Sequence, residues 1–342
     1  MLLLALAATF LQAPDAEAAA FDAAFALKKQ QKPALAAAAF EEIVRKFPGS
    51  ARLGEAIVES GVGWFGSGRE QQVLNRATPG STEAFGKARK IFEDFARERP
   101  QDASAGRAQY MVGSTDFFLG DLAGAEADYD AVLTKFPKDT KYLPKALERR
   151  AAMRRHLLET DTAKADLERY VKEYPGGEEL ATVKKYLEFG AMLEKPAPAL
   201  RVQAWIQGKS ANLSDLKGKV VGLYFFATWC EKCEKQRPFI LDLERRYAPA
   251  GLALLGVVND AHAQTVATVA PWLLRSEIKF PVMMDAAQAT AGEHHVGTIP
   301  DFVLVDKSGR VRWHDNPANL WDYTIETLLA EDQAPATAPP KK

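Results

Sequence analysis

A small residue, a large residue and a proline recur in fixed register four times in the first half of the chain. Ala36, Ala88, Ala125 and Ala163 are each followed four positions later by Phe40, Phe92, Tyr129 and Leu167, and eight further on come Pro48, Pro100, Pro137 and Pro175. Successive copies lie 52, 37 and 38 residues apart for all three landmarks. Residues four apart share a helix face, so the alanine lets a neighbouring helix come close and the large side chain fills the groove beside it. The proline cannot continue a helix, and it closes each unit behind a short amphipathic turn: RKFP, RERP, TKFP and KEYP. The pattern predicts an all-α solenoid of four paired-helix units over residues 19–193.

The segment "LGDLAGAEADYDAVLTKFP" (119–137) joins the turn, small residue, aromatic and closing proline of a tetratricopeptide repeat. The array resembles that family, whose period is about 34 residues, and the resemblance implies protein–protein contacts through the array. The units here are longer, and "ESGVGWFGSGREQQVLNRATPGS" is inserted before the second. Gly61, Gly63 and Gly66 in that insertion match G-x-G-x-x-G. A dinucleotide loop needs a strand before the glycines and an acid about twenty residues on. Helical neighbours make a mobile inter-helix loop the expectation instead.

At 342 residues, with 47% hydrophobic and 26% charged residues, the chain is long and apolar enough for two cored domains. A net charge of −1 without blocks of like charge gives no electrostatic reason to invoke nucleic acid or an anionic membrane. The apolar run Leu2–Leu11 is too short to span a bilayer, and Ala16-Glu17-Ala18 has the small-x-small form of a cleavage site. The expectation is an export signal over 1–18 and a periplasmic or secreted protein. Against it, no Lys or Arg precedes Lys28. The competing reading starts the first repeat helix there, and a cytoplasmic location stays open. "EKPAPALR" (194–201) reads as a linker, and residues 332–342 read as a disordered tail.

From Val202 the grammar changes. "KVVGLYFFA" (219–227) and "LALLGVV" (252–258) suit buried strands, and "EKCEKQRPFILDLERRYA" between them has helical spacing. "DFVLVDKSG" and "RVRWHD" form a hairpin, and "LWDYTIETLLAE" a closing helix. Strands alternating with helices predict an α/β domain with a mixed central sheet over 202–331. Cys230 and Cys233, the two cysteines of the chain, fall at the turn from strand into helix. A zinc site needs four ligands, and the adjacent His294 and His295 need not converge to supply two. A purely structural disulfide across so small a ring would constrain little. Exchange chemistry fits better: a helix N-terminus stabilises the Cys230 thiolate, and Cys233 one turn on is placed to resolve a mixed disulfide.

Taken with Pro238 and "VGTIPDFVLVDKSGRVRW", the stretch "NLSDLKGKVVGLYFFATWCEKC" resembles the TlpA/ResA-like branch of the thioredoxin family, over residues 196–331. The helical insertion around "TVATVAPWLLRSEIKF" is typical of that branch. The resemblance implies a thiol-disulfide oxidoreductase acting on a disulfide or dithiol client with a thiol electron partner, and no cofactor beyond the redox-active Cys230–Cys233 pair. It implies that Pro300 is cis against the redox pair, that Ile299 offers its backbone to a client strand, and that Trp229 is a rim aromatic. Three positions depart from the family. Glu231 and Lys232 replace a dipeptide that usually ends in proline, with Lys232 favouring the thiolate and Glu231 opposing it. Tyr224 stands where thioredoxins bury an acid, which leaves Asp260 as a candidate proton acceptor for Cys233. Asp301 and Phe302 would alter the substrate rim. Trp205, Trp272 and Trp313 read as packing, and His156, His262 and His314 as residues of solvated faces. Two rival readings are an interaction scaffold with a redox-inactive or redox-sensing module and a peroxiredoxin-like peroxidase.

Overall fold

The computed structural model describes residues 13–72, 76–258 and 264–331. The start of the expected signal, Asp260, His262 and the expected tail lie outside them. The chain forms two compact units, one running to Met153 and one starting at Arg154.

The first unit consists of helices α1 (Ala13–Lys29), α2 (Pro33–Lys46), α3 (Leu53–Glu70), α4 (Pro79–Glu98), α5 (Ala105–Leu119) and α6 (Leu122–Lys135), with α7 (Tyr142–His156) crossing its end. Each helix from α1 to α5 packs on the next. The small and large landmarks of the first three repeats fall on α2, α4 and α6 and are all buried. A residue preceding proline is pushed out of helical geometry. Accordingly Phe47, Arg99 and Phe136, and Tyr174 in the second unit, share φ between −129° and −121° and ψ between 52° and 60°. Each still donates its N–H to the carbonyl four residues back, so the helix ends with its last bond made. Ala16-Glu17-Ala18 lies inside α1, where Glu17 accepts a hydrogen bond from Ser50 at 2.6 Å.

The loop expected at Gly61, Gly63 and Gly66 is the helix α3. A Cβ would sit 2.6 Å from the Phe92 ring at Gly61, 2.7 Å from the Ala37 backbone nitrogen at Gly63 and 2.8 Å from Pro33 at Gly66. Their spacing serves close helix contact, and tertiary packing outweighs the poor helix propensity of glycine. Among the described residues only helices precede them, which is not the strand-loop-helix setting of a phosphate cradle.

The second unit opens with the last repeat helices, α8 (Thr160–Glu173) and α9 (Leu180–Gly190), and carries a six-stranded sheet. Its strands are β1 (Val202–Gln207), β2 (Val220–Phe226), β3 (Leu252–Val258), β4 (Val282–Asp285), β5 (Asp301–Val305) and β6 (Val311–Asp315), in the order β1-β4-β3-β2-β5-β6. The β2, β3 and β4 strands run parallel, whereas β1, β5 and β6 are antiparallel to their neighbours, so the sheet is mixed. Helix α10 (Glu231–Tyr247) follows β2, α11 (Val266–Arg275) follows β3, and α12 (Ala289–Glu293) and α13 (Asp322–Ala330) follow β4 and β6. Tyr224 and Phe226 of β2 face the core that includes Phe239, Ile240 and Leu243 of α10. Leu223 and Phe225 face the opposite core, capped by Met192, Leu193, Ala197 and Leu200.

The stretch 194–201, expected to be a linker, is therefore part of the domain. The Glu194 N–H donates to Val311 O at 2.8 Å and the Ala197 N–H to Gly309 O at 2.9 Å where the chain enters β6, and Pro196, lacking an N–H, fits such an edge. The last repeat also packs on the sheet. Arg155 donates to His314 O at 2.7 Å, and Phe189 stacks on the His314 ring at 3.8 Å between centroids. His156 and His314 are consequently buried rather than solvated.

Candidate active site

The β2 strand is buried along its whole length and delivers the turn Ala227–Trp229 at its C-terminal end. Gln264 pins that turn: its Oε1 accepts from the Thr228 N–H at 3.0 Å and the Thr228 hydroxyl at 2.6 Å. Cys230 then takes the N-cap of α10, with extended φ and ψ of −84° and 100°, and its Sγ accepts the Cys233 N–H at 3.1 Å. The helix thus aims one of its unpaired N–H groups at the sulfur, the arrangement that favours a thiolate. A disulfide joins Cys230 to Cys233 across a Cα–Cα distance of 5.2 Å. Both cysteines are buried within the core cluster, while Trp229 beside them is 49% exposed.

Glu231 and Lys232 both point to solvent. The Glu231 carboxylate pairs with Lys235 at 2.7 Å, and that bond holds its carboxyl below the usual carboxylate range. Its charge is answered along the helix, which weakens the expected opposition to the thiolate. Beneath the pair, Tyr224 donates to Cys233 O at 3.4 Å. Burial pushes its phenol well above the usual range, so it is a neutral donor at the place where an acid was missing.

The Ile299–Pro300 peptide is cis, and Ile299 packs against the cluster that holds both cysteines. Asp301 and Phe302 leave the rim and enter the core as the first residues of β5. The Asp301 carboxylate lies 3.2 Å from His314 Nε2, and this cross-strand partner makes burial of both polar groups tolerable. Neither residue was visible as a pair, because they lie on different strands. Gln264, Gln236 and Asn316 were missed as well, because their partners lie 36 or 80 residues away along the chain. Asn316 donates to Pro300 O at 3.1 Å and accepts from Gln236 at 2.8 Å.

His294 and His295 diverge. His294 is buried with Nδ1 2.9 Å from Thr290 O, and His295 is 3.9 Å from Glu188. Among the described residues no cluster of three His, Cys, Asp or Glu side chains could hold a metal ion. No helix among them is long and apolar enough to cross a membrane.

Residues 193–314 match the AhpC/TSA family, and residues 18–50 and 145–177 match the tetratricopeptide repeat. The thiol-disulfide oxidoreductase ResA of Bacillus anthracis is 37% identical over 106 residues, which cover 31% of this chain and 60% of that protein. The ResA of Bacillus subtilis (strain 168) is 31% identical over 104 residues, or 30% of this chain and 56% of that protein. The chain thus matches under two thirds of the length of these curated relatives. Among solved structures, a thiol-disulfide isomerase from Corynebacterium glutamicum aligns with 24% identity and a TM-score of 0.37, covering 40% of this chain and 98% of that one. A thiol:disulfide interchange protein of the thioredoxin family from Chlorobium tepidum TLS aligns with 24% identity and a TM-score of 0.34, covering 39% and 95%. The chain therefore carries an AhpC/TSA thioredoxin-like domain, with ResA-type thiol-disulfide oxidoreductases as its relatives, behind tetratricopeptide repeats.

Proposed function

We propose that the protein is an exported thiol-disulfide oxidoreductase, periplasmic or secreted, whose repeat array recruits a protein client or partner. The observation that carries this reading is the Cys230 sulfur at the N-cap of α10, accepting the Cys233 N–H and bonded to Cys233. In the reducing direction the Cys230 thiolate attacks a client disulfide. One client sulfur leaves as a thiolate and the other stays bonded to Cys230. Deprotonated Cys233 then attacks Cys230 Sγ, releases the second client thiol and restores the Cys230–Cys233 disulfide. Two electrons pass from the protein dithiol to the client, and the reverse sequence oxidises a client dithiol. Trp229 offers an exposed apolar rim, and Ile299 with cis-Pro300 the backbone edge for an extended client segment.

The test compares Cys230→Ser and Cys233→Ser with the wild type. Cys233→Ser should accumulate mixed disulfides with a model disulfide protein, and Cys230→Ser should form none. Partner binding through the array that survives both substitutions, with a wild type inert toward small disulfides, would establish the scaffold reading instead. Consumption of peroxide faster than exchange with disulfides would favour the peroxidase.

A further inference from the structure

Two side chains join the redox helix to the cis-proline segment. Gln236 lies one turn after Cys233 on α10, and its Nε2 donates to Asn316 Oδ1 at 2.8 Å. Asn316 follows β6, and its Nδ2 donates to Pro300 O at 3.1 Å. The Ala318 N–H also donates to Asn316 Oδ1, at 2.9 Å, which fixes the amide in one orientation. A flipped amide would set an NH2 against two donors and an oxygen against the Pro300 carbonyl. The Asp315 carboxylate accepts the Asn316 N–H at 2.7 Å and the Asn319 amide at 3.1 Å, so the residue is held from its backbone as well. Gln236 Oε1 is sealed from solvent without a partner among the described residues, so the clamp still has an acceptor to offer a donor.

We infer that Gln236 and Asn316 are positioning residues that set the gap between the Cys230–Cys233 helix and the cis-Pro300 segment, and hence the fit of a client peptide beside the redox pair. This rests on the exchange reading above. Neither side chain touches a sulfur among the contacts described, so the clamp governs peptide docking and leaves sulfur chemistry alone.

The test uses the reduced full-length protein and two probes. One is a small aromatic disulfide, 5,5′-dithiobis(2-nitrobenzoate). The other is a cysteine-containing peptide capped with one 2-nitro-5-thiobenzoate, and both release the coloured thiolate on exchange. Asn316→Ala and Gln236→Ala should each raise KM for the peptide about fivefold to tenfold, the worth of the one part-buried hydrogen bond that both remove, Gln236 Nε2 to Asn316 Oδ1. The small-disulfide rate should stay within about twofold, since that probe needs no docking strand. The double variant should exceed the worse single variant by little, because either change opens the same clamp. Gln236→Glu keeps the shape but cannot donate when ionised, and it should behave as Gln236→Ala does. Parallel losses on both probes at an unchanged melting temperature would overturn the inference, and so would an unchanged peptide KM. A lowered melting temperature in the alanine variants shifts the decision to Gln236→Glu, which leaves the volume intact. A wild type inert toward both probes would sink the exchange reading itself, an outcome distinct from failure of the clamp.

Discussion

Gly63→Ala and Gly86→Ala should change stability in opposite directions although both glycines lie inside helices. In an open helix, alanine is favoured over glycine by roughly 1 kcal/mol. Gly86 on α4 meets nothing within 4 Å of an added Cβ, so Gly86→Ala should gain about that amount. At Gly63 the same carbon would lie 2.7 Å from the Ala37 backbone nitrogen and 2.8 Å from its Cα. Non-bonded carbons prefer about 3.5–4.0 Å. The backbone of α2 cannot rotate away as a side-chain tip can, so α2 and α3 must separate by several tenths of an ångström. Overpacking of this kind costs about 1–3 kcal/mol, and the loosening also reaches Phe40 on α2. The contact is with backbone, so the upper part of that range, about 2–3 kcal/mol, applies, and net of the roughly 1 kcal/mol propensity gain Gly63→Ala should lose about 1–2 kcal/mol. Thermal unfolding followed by far-ultraviolet circular dichroism should show the array melting several degrees lower for Gly63→Ala and a few degrees higher for Gly86→Ala. A Gly63→Ala variant at least as stable as the wild type would refute the assignment of these glycines to a helix contact.

Two pH dependences of opposite sign separate the units. Asp128 in the array is half-buried against Asp116, which is itself paired with Arg89 at 2.6 Å, and Gln109 donates to Asp128 at 2.9 Å. Burial first, and the hydrogen-bonded Asp116 second, push its carboxyl up to about 7. The folded array holds a proton that the unfolded chain gives up, so this stabilisation is present at acid pH and fades as pH rises through 7. Asp128→Asn should therefore raise the melting temperature of the array at pH 8, and a lowered value there would contradict the paired carboxyls. In the second unit, burial holds His294 down at about 4 and, with the Arg155 charge, His156 at about 3. Here the unfolded chain binds protons that the fold refuses, so stability is full above about 6.5 and falls as pH drops toward those values. Melting of the second unit between pH 7 and 4.5 should show that fall, with a shallower slope in His294→Gln. A flat profile would mean that neither histidine is sequestered.

The repeat landmarks were legible because they are steric requirements of neighbouring helices, and Ala88 and Phe92 meet the need for a small and a large residue at one contact wherever the chain goes next. The strand-to-helix turn at Cys230 and the hairpin at Lys307–Gly309 were legible for a similar reason, since local chemistry decides them. Gly61, Gly63 and Gly66 misled because the helix they form is justified only by Phe92, Ala37 and Pro33 on other helices. Asp301 was placed on the substrate rim and His314 on a solvated face because each is polar by itself, and only strand pairing brings them to 3.2 Å. Prolines made residues 194–201 look like a linker, although Glu194, Lys195, Pro196 and Ala197 pair with Gly309, Arg310 and Val311 where β6 begins. The candidate site divides along this line. Cys230 and Cys233 could be named from local pattern, and Trp229 and Pro300 from the family resemblance, whereas the contacts of Gln264, Gln236 and Asn316 depend on which elements the fold brings together.

The equilibrium reduction potential of the Cys230–Cys233 pair tests the central claim most directly. The full-length protein would be titrated in thiol redox buffers, with Trp229 fluorescence and thiol alkylation as parallel readouts. An exchange-active pair should equilibrate at a potential between about −270 and −120 mV, the lower end marking a reductase and the upper an oxidase. A potential below about −300 mV, where structural disulfides lie, or a pair that never exchanges with the buffer thiols, would contradict the oxidoreductase account.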